Sequence, residues 1–331
     1  MAELSYAAAV RNAIDEEMSK DPGLLILGED VAYKGGGVWS TFRGLSSKYG
    51  PDRVRSTPIA EQAIVGAAIG AAMEGHRVIA DIMFFDFIAV CMDQLVNHAA
   101  KLRYMSAGRT SAPITVTTTV GSPRFGAQHA QSLESWLMHV PGLKVIFPSN
   151  ASDAQSLLRA CIADEDPCVF IQHSALLFGE KMAIETGQPL PLGEAAIKRV
   201  GTDVTVVTYG RPVNAVMRAA SELHDQGIEV EVLDLRTLVP LDVVRVCESV
   251  AKTRRAVVVH EATRFVGPGA EIAALINEEL FGQLLSPVKR VASGYAPISF
   301  ASESRAMPTA GDIMRGIREV CESVVAPAGP R

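Results

Sequence analysis

The sequence predicts an α/β protein built from two tandem doubly wound domains. Its 331 residues exceed the length of a typical single domain. Short runs of β-branched residues alternate with helical patterns along the whole chain, and runs such as 204–207 and 257–259 are continuously apolar. Continuously apolar strands are typical of parallel sheets that helices cover on both faces.

In the first half of the chain, helical patterns separate successive short strands. Strands are predicted near residues 24–27, 77–81, 114–119, 144–147 and 169–172. Helices are predicted near residues 6–20, 58–74, 87–104, 131–139 and 152–163. This alternation is expected of strand–helix–strand units that build a parallel sheet.

The alternation stops near Gly179 and restarts after Gly193. The intervening segment has little periodicity and contains Pro189 and Pro191. We therefore predict one domain over residues 1–180, a linker over 181–198 and a second domain over 199–331. Strands of the second domain are predicted near residues 204–209, 230–233, 257–260 and 288–291.

Composition argues against several classes of protein. A net charge of -6 does not suit a nucleic-acid-binding protein, which relies on clustered Lys and Arg. The most apolar run, 59–73, is too short and too polar to span a bilayer, and residues 1–4 lack a signal-peptide pattern. The five cysteines form no C-x-x-C pair, which indicates free thiols in a reducing compartment. We expect a cytoplasmic protein that binds neither nucleic acid nor membranes.

Glu61 is the first candidate site residue. Thr57 and Pro58 carry helix-start signals, and Gly75 carries a helix-stop signal. The helix body, 63–72, has no charged residue, so we expect it to be buried and closely packed. Glu61 would then lie partly desolvated at the mouth of a buried helix. The alternative is that Glu61 only complements the helix dipole, and the local pattern by itself favours that alternative.

Aromatic and histidine side chains supply further candidates. Residues 81–87 carry three phenylalanines in a chain that is only 6% aromatic. Such rings usually belong to a core, but a ring could also lie flat on a planar ligand. The Gly- and Ser-rich loop 121–132 contains His129, and a histidine titrates at about pH 6.5, so it could move protons at physiological pH.

Polar residues at the predicted strand ends are weaker candidates, because such residues are more often loop or cap residues than catalysts. They are Glu29, Asp30, Asp81, His173, His260 and Glu261. The chain has no phosphate-binding loop, no zinc-ligand pattern and no G-x-S-x-G elbow of a serine hydrolase.

A series of motifs in order gives a resemblance to one family. The motifs are Leu27-Gly28-Glu29-Asp30-Val31, Thr57-Pro58-Ile59-Ala60-Glu61, Ile64-Val65-Gly66, Asp86-Phe87, Asp93-Gln94 with Asn97, Ala99-Ala100-Lys101, Arg103-Tyr104, Gln128-His129, His139-Val140-Pro141-Gly142-Leu143-Lys144-Val145, Asp234-Leu235-Arg236-Thr237-Leu238, His260-Glu261 and Gly269-Ala270-Glu271-Ile272. Over essentially its whole length the chain resembles the β subunits of thiamine-diphosphate-dependent 2-oxo acid dehydrogenases, of the pyruvate and acetoin type, in the transketolase-like superfamily.

The resemblance implies roles for particular residues. Glu61 matches the glutamate that bonds the pyrimidine ring nitrogen of thiamine diphosphate, and His129 matches a catalytic histidine. Phe87 matches an aromatic residue on the pyrimidine, Ile59 lies where the backbone contacts that ring, and Met83 is a further cofactor-binding position. The first domain is then the pyrimidine-binding domain, and the second resembles the transketolase C-terminal domain.

The resemblance also implies a monovalent cation, possibly K⁺ in this chain, held largely by backbone carbonyls. The matching positions are Ile114, Cys161, Ile162, Asp164 and Asp166.

A missing motif implies a partner. Thiamine enzymes of this superfamily hold the diphosphate and Mg²⁺ through Gly-Asp-Gly followed by a distant Asn, but the only Gly-Asp pair here is Gly311-Asp312, before Ile313. The resemblance therefore implies an α subunit that holds Mg²⁺ and the diphosphate, in an α2β2 heterotetramer. The second domain is expected to contribute subunit contacts and to dock a lipoyl-bearing acyltransferase or another acyl carrier.

The substrate stays open between pyruvate, acetoin, a branched 2-oxo acid and a ketose. Met83 stands where many family members have Gln, and the Met-Phe-x-Asp-Phe form favours the acetoin-cleaving branch. One alternative is transfer of a two-carbon unit from a ketose to a carrier protein, which the shortened loop before His129 suggests. Another is a scaffold subunit without chemistry, against which the retained Glu61 and His129 argue.

Overall fold

The computed structural model describes residues 3–121, 125–184, 187, 189–301 and 306–323. They form two compact α/β units. The first comprises Met1–Leu192 with Thr237–Pro240, and the second comprises Gly193–Arg236 with Leu241–Arg331. The predicted fold class is confirmed, although the division is not strictly sequential.

The first unit is built on a mainly parallel sheet. Its strands are β1 (Glu3–Leu4), β2 (Leu25–Gly28), β3 (Val54–Ser56), β4 (Val78–Ile82), β5 (Ile114–Val120), β6 (Lys144–Ile146), β7 (Cys168–His173), β8 (Met182–Ala183) and β12 (Thr237–Val239). Seven of them form a sheet in the order β12-β6-β7-β5-β4-β2-β3, in which only β12 is antiparallel to its neighbour. Strands β1 and β8 pair separately and antiparallel.

Helices cover this sheet. They are α1 (Tyr6–Lys20), α2 (Leu45–Tyr49), α3 (Glu61–Met73), α4 (Ala100–Met105), α5 (Glu134–Met138), α6 (Ala151–Ala163) and α7 (Ser174–Leu177). Side chains cap the long helices α1 and α6, since Ser5 accepts from the backbone N–H of Ala8 and Asn150 accepts from that of Asp153. Helices α1 and α6 pack on each other and bury a common apolar core with the sheet. Among the described residues, every helix is too short or too polar to cross a lipid bilayer.

Two details of the predicted helices are wrong. The helix predicted over 87–104 is a 3-10 helix (Phe85–Cys91), a π-helical turn (Gln94–Ala99) and then α4, because the N–H of Phe87 bonds the carbonyl of Phe84 in a tight turn. Helix α3 begins at Glu61 without a side-chain cap. The backbone N–H of Thr57 donates to the carbonyl of Gly28 at the end of β2, and the Thr57 hydroxyl has no hydrogen-bond partner among the described residues. Gly75 does follow the end of α3, at a φ of +93°.

The expectation that α3 is buried all round is also wrong within this chain. Ile64, Val65 and Ala68 are buried against the rest of the unit. The opposite face is exposed and consists of Gln62, Ala63, Gly66, Ala67, Gly70 and Met73. One face of α3 therefore remains uncovered although it carries no charged side chain, because only the other face meets the sheet and the 3-10 helix.

The second unit repeats the layered arrangement. Its strands are β9 (Ala196–Arg199), β10 (Val204–Thr208), β11 (Val230–Asp234), β13 (Ala256–Thr263) and β14 (Lys289–Ser293), and its helices are α8 (Pro212–His224), α9 (Val243–Thr253), α10 (Pro268–Glu279) and α11 (Ala310–Glu322). The strand order is β14-β13-β10-β11-β9, with only the edge strand β9 antiparallel. Helix α8 packs on α11 and α9 packs on α10, so the apolar strands between them are buried.

The segment predicted as a linker, 181–198, divides at Leu192 between the two units. It contains β8 and most of β9, while residues 185, 186 and 188 lie outside the described residues.

Candidate functional site

Polar side chains gather where the central strands of the first unit end. Strands β2, β4 and β5 are neighbours and parallel, so their carboxyl ends lie at one edge of the sheet. Glu29 directly follows β2, Asp81 lies near the end of β4, and Glu61 begins α3. Ligands of open α/β sheets bind at this edge.

Glu61 is nearly buried although it lies at the start of a helix. Its exposed fraction is 9%, whereas Ile59, two residues earlier, is 82% exposed. The first-turn N–H groups of α3 have no side-chain cap, and their dipole favours the carboxylate of Glu61 at this position. The negative charge of Glu61 also acts on Glu29, whose pKa is raised mainly by burial and further by Glu61 and Asp30.

Asp81 is a buried carboxyl group beneath this edge. Burial raises its pKa to about 7, and the negative charge of Glu29 adds to the rise. The hydroxyl of Thr117 donates to Asp81 Oδ1 over 2.6 Å, which favours the ionised form without reversing the effect of burial. Asp81 therefore changes its protonation near neutral pH.

Aromatic rings surround His129. Its imidazole lies edge-on to Phe84 and Phe87, with ring centroids 4.9 Å and 5.3 Å away, and Phe125 lies 6.2 Å away. Phe84 is central, because it also contacts Phe87, Phe125 and the ring of Trp39. We call Phe84, Phe87 and Phe125 the phenyl wall. It gives His129 an apolar surrounding.

Met83 and Trp39 fix the base of the phenyl wall. The indole N–H of Trp39 donates to the carbonyl of Met83 over 2.8 Å. This bond joins the loop after β2 to the end of β4, immediately before Phe84.

A buried carboxylate anchors the His129 loop. Asp86 Oδ1 accepts from Gln131 Nε2 over 2.7 Å and from the backbone N–H of Gln131 over 3.4 Å. Burial raises the pKa of Asp86, while the bonds from Gln131 oppose the rise. Among the described residues, His129 Nδ1 is buried and has no hydrogen-bond partner. Residues 122–124 of the same loop lie outside the described residues.

The other two histidines predicted at strand ends have structural roles. His173 Nδ1 accepts from the backbone N–H of Ala175 and caps α7. His260 Nε2 accepts from the N–H of Gly269 over 3.1 Å, and its ring stacks on Tyr209. Burial lowers the pKa of His260 to about 4, so this imidazole is neutral at physiological pH. The cap interpretation is confirmed for His173, whereas His260 lies within β13 and not at a strand end.

Comparison with known proteins identifies the family. Residues 2–178 match the family model "Transketolase, pyrimidine binding domain" and residues 193–313 match "Transketolase, C-terminal domain". The mitochondrial pyruvate dehydrogenase E1 component subunit beta-2 of Oryza sativa subsp. japonica is 41% identical, over 98% of this chain and 88% of that subunit. The chain belongs to the transketolase-like family of dehydrogenase β subunits. The resemblance found in the motifs is confirmed.

Two bacterial members of the family are similarly close. The acetoin:2,6-dichlorophenolindophenol oxidoreductase subunit beta of Cupriavidus necator is 42% identical, over 96% of this chain and 97% of that subunit. The subunit of the same name from Bacillus subtilis is 40% identical, over 94% of this chain and 95% of that subunit.

Solved structures share the fold. A split-gene transketolase, described as an inactive β4 tetramer, matches with a TM-score of 0.78 at 21% identity, over 98% of this chain and 100% of that chain. Transketolase from Leishmania mexicana matches with a TM-score of 0.73 at 16% identity, over 100% of this chain and 47% of that chain. At these identities the likeness shows the fold of the dehydrogenase β subunit and nothing further.

The residues predicted for the cofactor lie together, whereas those predicted for a monovalent cation lie elsewhere. Phe87 and His129 are in ring contact, Met83 adjoins the phenyl wall, and α3 packs against the 3-10 helix that carries Phe87. The cation positions of this dehydrogenase β subunit, Ile114, Cys161, Ile162, Asp164 and Asp166, are near the amino ends of β5 and β7. A five-residue strand spans about 16 Å, so the sheet separates the two groups.

Three carbonyls of the predicted cation set accept hydrogen bonds within the described residues. Arg77 Nη1 donates to the carbonyl of Ile162 over 3.0 Å and to that of Asp164 over 2.8 Å. The carbonyl of Cys161 accepts from the N–H of Asp164 over 3.2 Å. Three of the predicted ligand oxygens therefore already have donors.

The Gly311-Asp312 pair also has a structural explanation. Thr309 caps α11 by accepting from the N–H of Asp312, and Asp312 accepts in return from the N–H of Thr309. Thr309 and then Arg315 hold the pKa of Asp312 down at about 2. The carboxylate is thus used as a helix cap in this dehydrogenase β subunit.

Three residues of the site have no recognisable signal in the sequence. Trp39 bonds Met83 and Gln131 bonds Asp86, each over a long sequence separation that no local pattern reveals. Phe125 lies in the analysed loop, but only the fold places it beside His129.

The pKa of Asp81 predicts a pH dependence of stability. Its folded-state value of about 7 exceeds the ordinary value of 3.8, so between these values the folded chain holds a proton that the unfolded chain has lost. The free energy of unfolding therefore falls as the pH rises through this range. We expect Asp81→Asn, which still accepts from Thr117, to be more stable than the parent at about pH 8, by at most roughly 4 kcal/mol.

Urea unfolding of the full chain and of the variant measures this difference at about pH 8 and at about pH 4.5. Most of the gain should vanish at the lower pH, because it lies less than one unit above the ordinary value of 3.8, so the unfolded chain gains little free energy by losing the proton. An equal gain at both pH values would contradict a buried, titrating Asp81.

Proposed function

We propose that this chain is the β half of a thiamine-diphosphate-dependent enzyme that cleaves acetoin or pyruvate and passes the acyl group to lipoyl on a partner acyltransferase. The observation that carries the proposal is the nearly buried Glu61 at the first turn of α3, beside an edge of the sheet that also carries the phenyl wall and His129. The relatives named for pyruvate dehydrogenase and acetoin oxidoreductase support it.

The residues present fit the pyrimidine end of thiamine diphosphate. A flat, weakly basic ring needs an apolar surface and a proton-bearing group, and Ile59 supplies an 82% exposed apolar side chain two residues from the carboxyl of Glu61. Phe87 supplies a partly exposed ring. Among the described residues, Thr57 Oγ1 and His129 Nδ1 are buried polar atoms without partners, as expected where a ligand completes the site.

Bound thiamine diphosphate supplies a nucleophilic carbon that adds to carbonyl groups and accepts the electron pair of the broken bond. Glu61 would hold a proton at the pyrimidine ring nitrogen, and Ile59, Met83 and Phe87 would hold the ring in place. His129 would orient the substrate and move a proton at Nε2. Phe84 and Phe87 place apolar rings beside this imidazole.

A second subunit is needed to complete the site. The Gly-Asp pair of this chain is used in a helix cap, so the diphosphate and Mg²⁺ would be held mainly by an α subunit, in an α2β2 heterotetramer. The uncovered face of α3 supports this, because it is uncharged and includes Gly66 and Gly70. Among the described residues outside its own helix, a Cβ atom at Gly70 would meet nothing within 4 Å, so packing there does not require the glycine.

The phenyl wall favours a small substrate with methyl groups. Acetoin and pyruvate each place a methyl group beside the carbonyl, and apolar rings accommodate methyl groups well. A ketose phosphate carries hydroxyl and phosphate groups that phenyl rings cannot bond, so transfer from a ketose has no support in the geometry. The second unit would contribute subunit contacts and dock the lipoyl acyltransferase.

The proposed reaction predicts a large loss in Glu61→Gln. We expect the parent chain, co-purified with its α subunit, to acetylate and reduce the disulfide of added lipoamide, with release of CO2 from pyruvate or acetaldehyde from acetoin, only when thiamine diphosphate is added. An amide cannot share a carboxyl proton, so Glu61→Gln should lower kcat by about 10²–10⁴-fold. Glu74→Gln, at the exposed far end of the same helix, is the matched control and should keep full activity.

Full activity of assembled Glu61→Gln would overturn the proposal and would favour the alternative of a scaffold subunit without chemistry. If the assembled parent acts on neither acetoin nor pyruvate, this substrate class is excluded. Cofactor binding is tested independently by calorimetric titration.

A split cofactor site predicts that binding depends on assembly. We expect calorimetric titration of thiamine diphosphate with Mg²⁺ to show tight binding to the α-containing complex and no tight binding to this chain alone. The reason is that this chain lacks the Gly-Asp-Gly motif with its distant Asn. Tight binding to the isolated chain would reveal a diphosphate site here and would end the two-subunit argument.

The exposed face of α3 predicts that Gly70→Leu blocks assembly. A Cβ atom at Gly70 meets no atom within 4 Å among the described residues outside its own helix, and Gly70 lies on the exposed face. The helix gains about 0.5–1 kcal/mol of propensity, so the isolated variant should unfold no earlier than the parent. Against a partner helix the same side chain would collide, and co-purification of the α subunit should be lost.

Ser221→Leu is the control, because Ser221 is an exposed residue of α8 in the second unit. It should assemble normally. Normal assembly of Gly70→Leu as well would show that the α subunit covers some other surface.

A further inference from the structure

The positively charged side chain of Arg77 forms hydrogen bonds with the carboxyl end of helix α6. The last carbonyls of a helix have no partners within it and form the negative end of its dipole. Arg77 reaches this end from the start of β4, and its Nη1 donates to the carbonyls of Ile162 and Asp164 over 3.0 Å and 2.8 Å. Its Nη2 bonds the carboxylate of Glu165. One guanidinium thus serves two carbonyls and one carboxylate.

The neighbouring acidic side chains also have basic partners. Lys144 Nζ donates to both carboxylate oxygens of Asp164, over 2.7 Å and 2.6 Å, and lies 3.7 Å from Asp166 Oδ2. Arg103 Nε bonds Asp166 Oδ1. The backbone N–H of Asp166 donates to Asp164 over 2.9 Å, which closes the turn.

We call Arg77, Arg103, Lys144, Asp164, Glu165 and Asp166 the α6 corner. Its three basic and three acidic side chains sum to zero charge. The corner is partly shielded, because 27% of the Arg77 side chain and 18% of the Asp164 side chain are exposed, whereas 44% of Arg103 and 57% of Glu165 are exposed. A further positive charge at the two carbonyls would lie beside the guanidinium without a carboxylate of its own, and like charges repel.

We propose that the Arg77 guanidinium takes the place of the monovalent cation in this chain, so that the α6 corner is complete without bound K⁺. A K⁺ ion needs several carbonyl oxygens to replace its water. Two of the oxygens that the family resemblance offers it are the two to which Arg77 donates. The planar guanidinium suits this task, because it can direct separate N–H groups at separate acceptors.

The corner lies at the edge of the sheet opposite Glu61, so its cation binding can be measured without turnover. The thermal midpoint of the full chain is compared in KCl, NaCl and tetramethylammonium chloride at one ionic strength of about 0.1 M, at which general screening is equal. ²⁰⁵Tl NMR of the same protein detects any bound monovalent ion directly. We expect equal midpoints in the three salts and no bound Tl⁺. A saturable rise in KCl alone, or a bound Tl⁺ that K⁺ displaces, would overturn the proposal.

For the variant Arg77→Ala we expect the opposite result, a thermal midpoint that depends on K⁺. It frees the carbonyls of Ile162 and Asp164 and leaves the corner with one excess negative charge. The midpoint should fall by about 5 °C, since hydrogen bonds to a charged group are lost. KCl, but not tetramethylammonium chloride, should then restore part of the loss. A lower midpoint that does not recover in KCl would contradict the proposal that the Arg77 guanidinium takes the place of K⁺.

Arg109→Ala is the matched control. Arg109 Nε also donates to a carbonyl just after a helix end, that of Ser106 after α4, over 3.0 Å, but it is exposed. Its loss should change the midpoint little and create no response to K⁺. If Arg77→Ala does not fold, the salt series and the Tl⁺ measurement on the parent still decide the question.

Discussion

The register of three central strands determines the rest of the first unit. Gly28 of β2 is opposite Asp81 of β4, and Asp81 is opposite Thr117 of β5. A side chain on Gly28 would place its Cβ 2.9 Å from that of Asp81, so only glycine permits this row. A slip by one residue would turn every side chain to the opposite face of the sheet. Because the register holds, Glu29 and the start of the phenyl wall leave the sheet at the same edge.

The two edges of this sheet use charge in opposite ways. At the amino edge, each carboxylate of the α6 corner has a basic partner, and the groups neutralise one another. At the carboxyl edge, Glu29 and Asp81 have raised pKa values because burial is not offset by basic side chains. Uncompensated carboxyl groups cost stability, and such a cost is characteristic of sites that must exchange protons or hold a ligand. The paired charges at the amino edge stabilise the unit, whereas the carboxyl groups at the carboxyl edge can exchange protons or meet a ligand.

Much of this molecule could be predicted from the sequence, for reasons that particular elements show. Buried parallel strands such as β7 are continuously apolar, and α1 has both an N-cap and an apolar stripe, so their positions follow from local pattern. The break at Phe85–Cys91 could not be predicted, because the local pattern does not distinguish the tight turn from Phe84 to Phe87 from an α-helical turn. The same holds for Arg77, whose acceptors are 85 and 87 residues away. Motif resemblance suggested the cofactor residues, whereas the donors at the carbonyls of the α6 corner could be seen only in the fold.

In the proposed function, helix α3 links catalysis to assembly through one sequence feature. A body of Ala, Gly, Ile and Val lets one face pack on the sheet and leaves the other smooth enough for another helix to approach closely. Glu61 is the only charged residue of this helix and lies at its first turn, so displacement of α3 would displace the carboxyl group that the proposed reaction needs. A partner covering Gly66 and Gly70 would fix the helix axis and, with it, the position of Glu61. In this arrangement the isolated chain keeps its fold but lacks a fully held site, which couples activity to assembly.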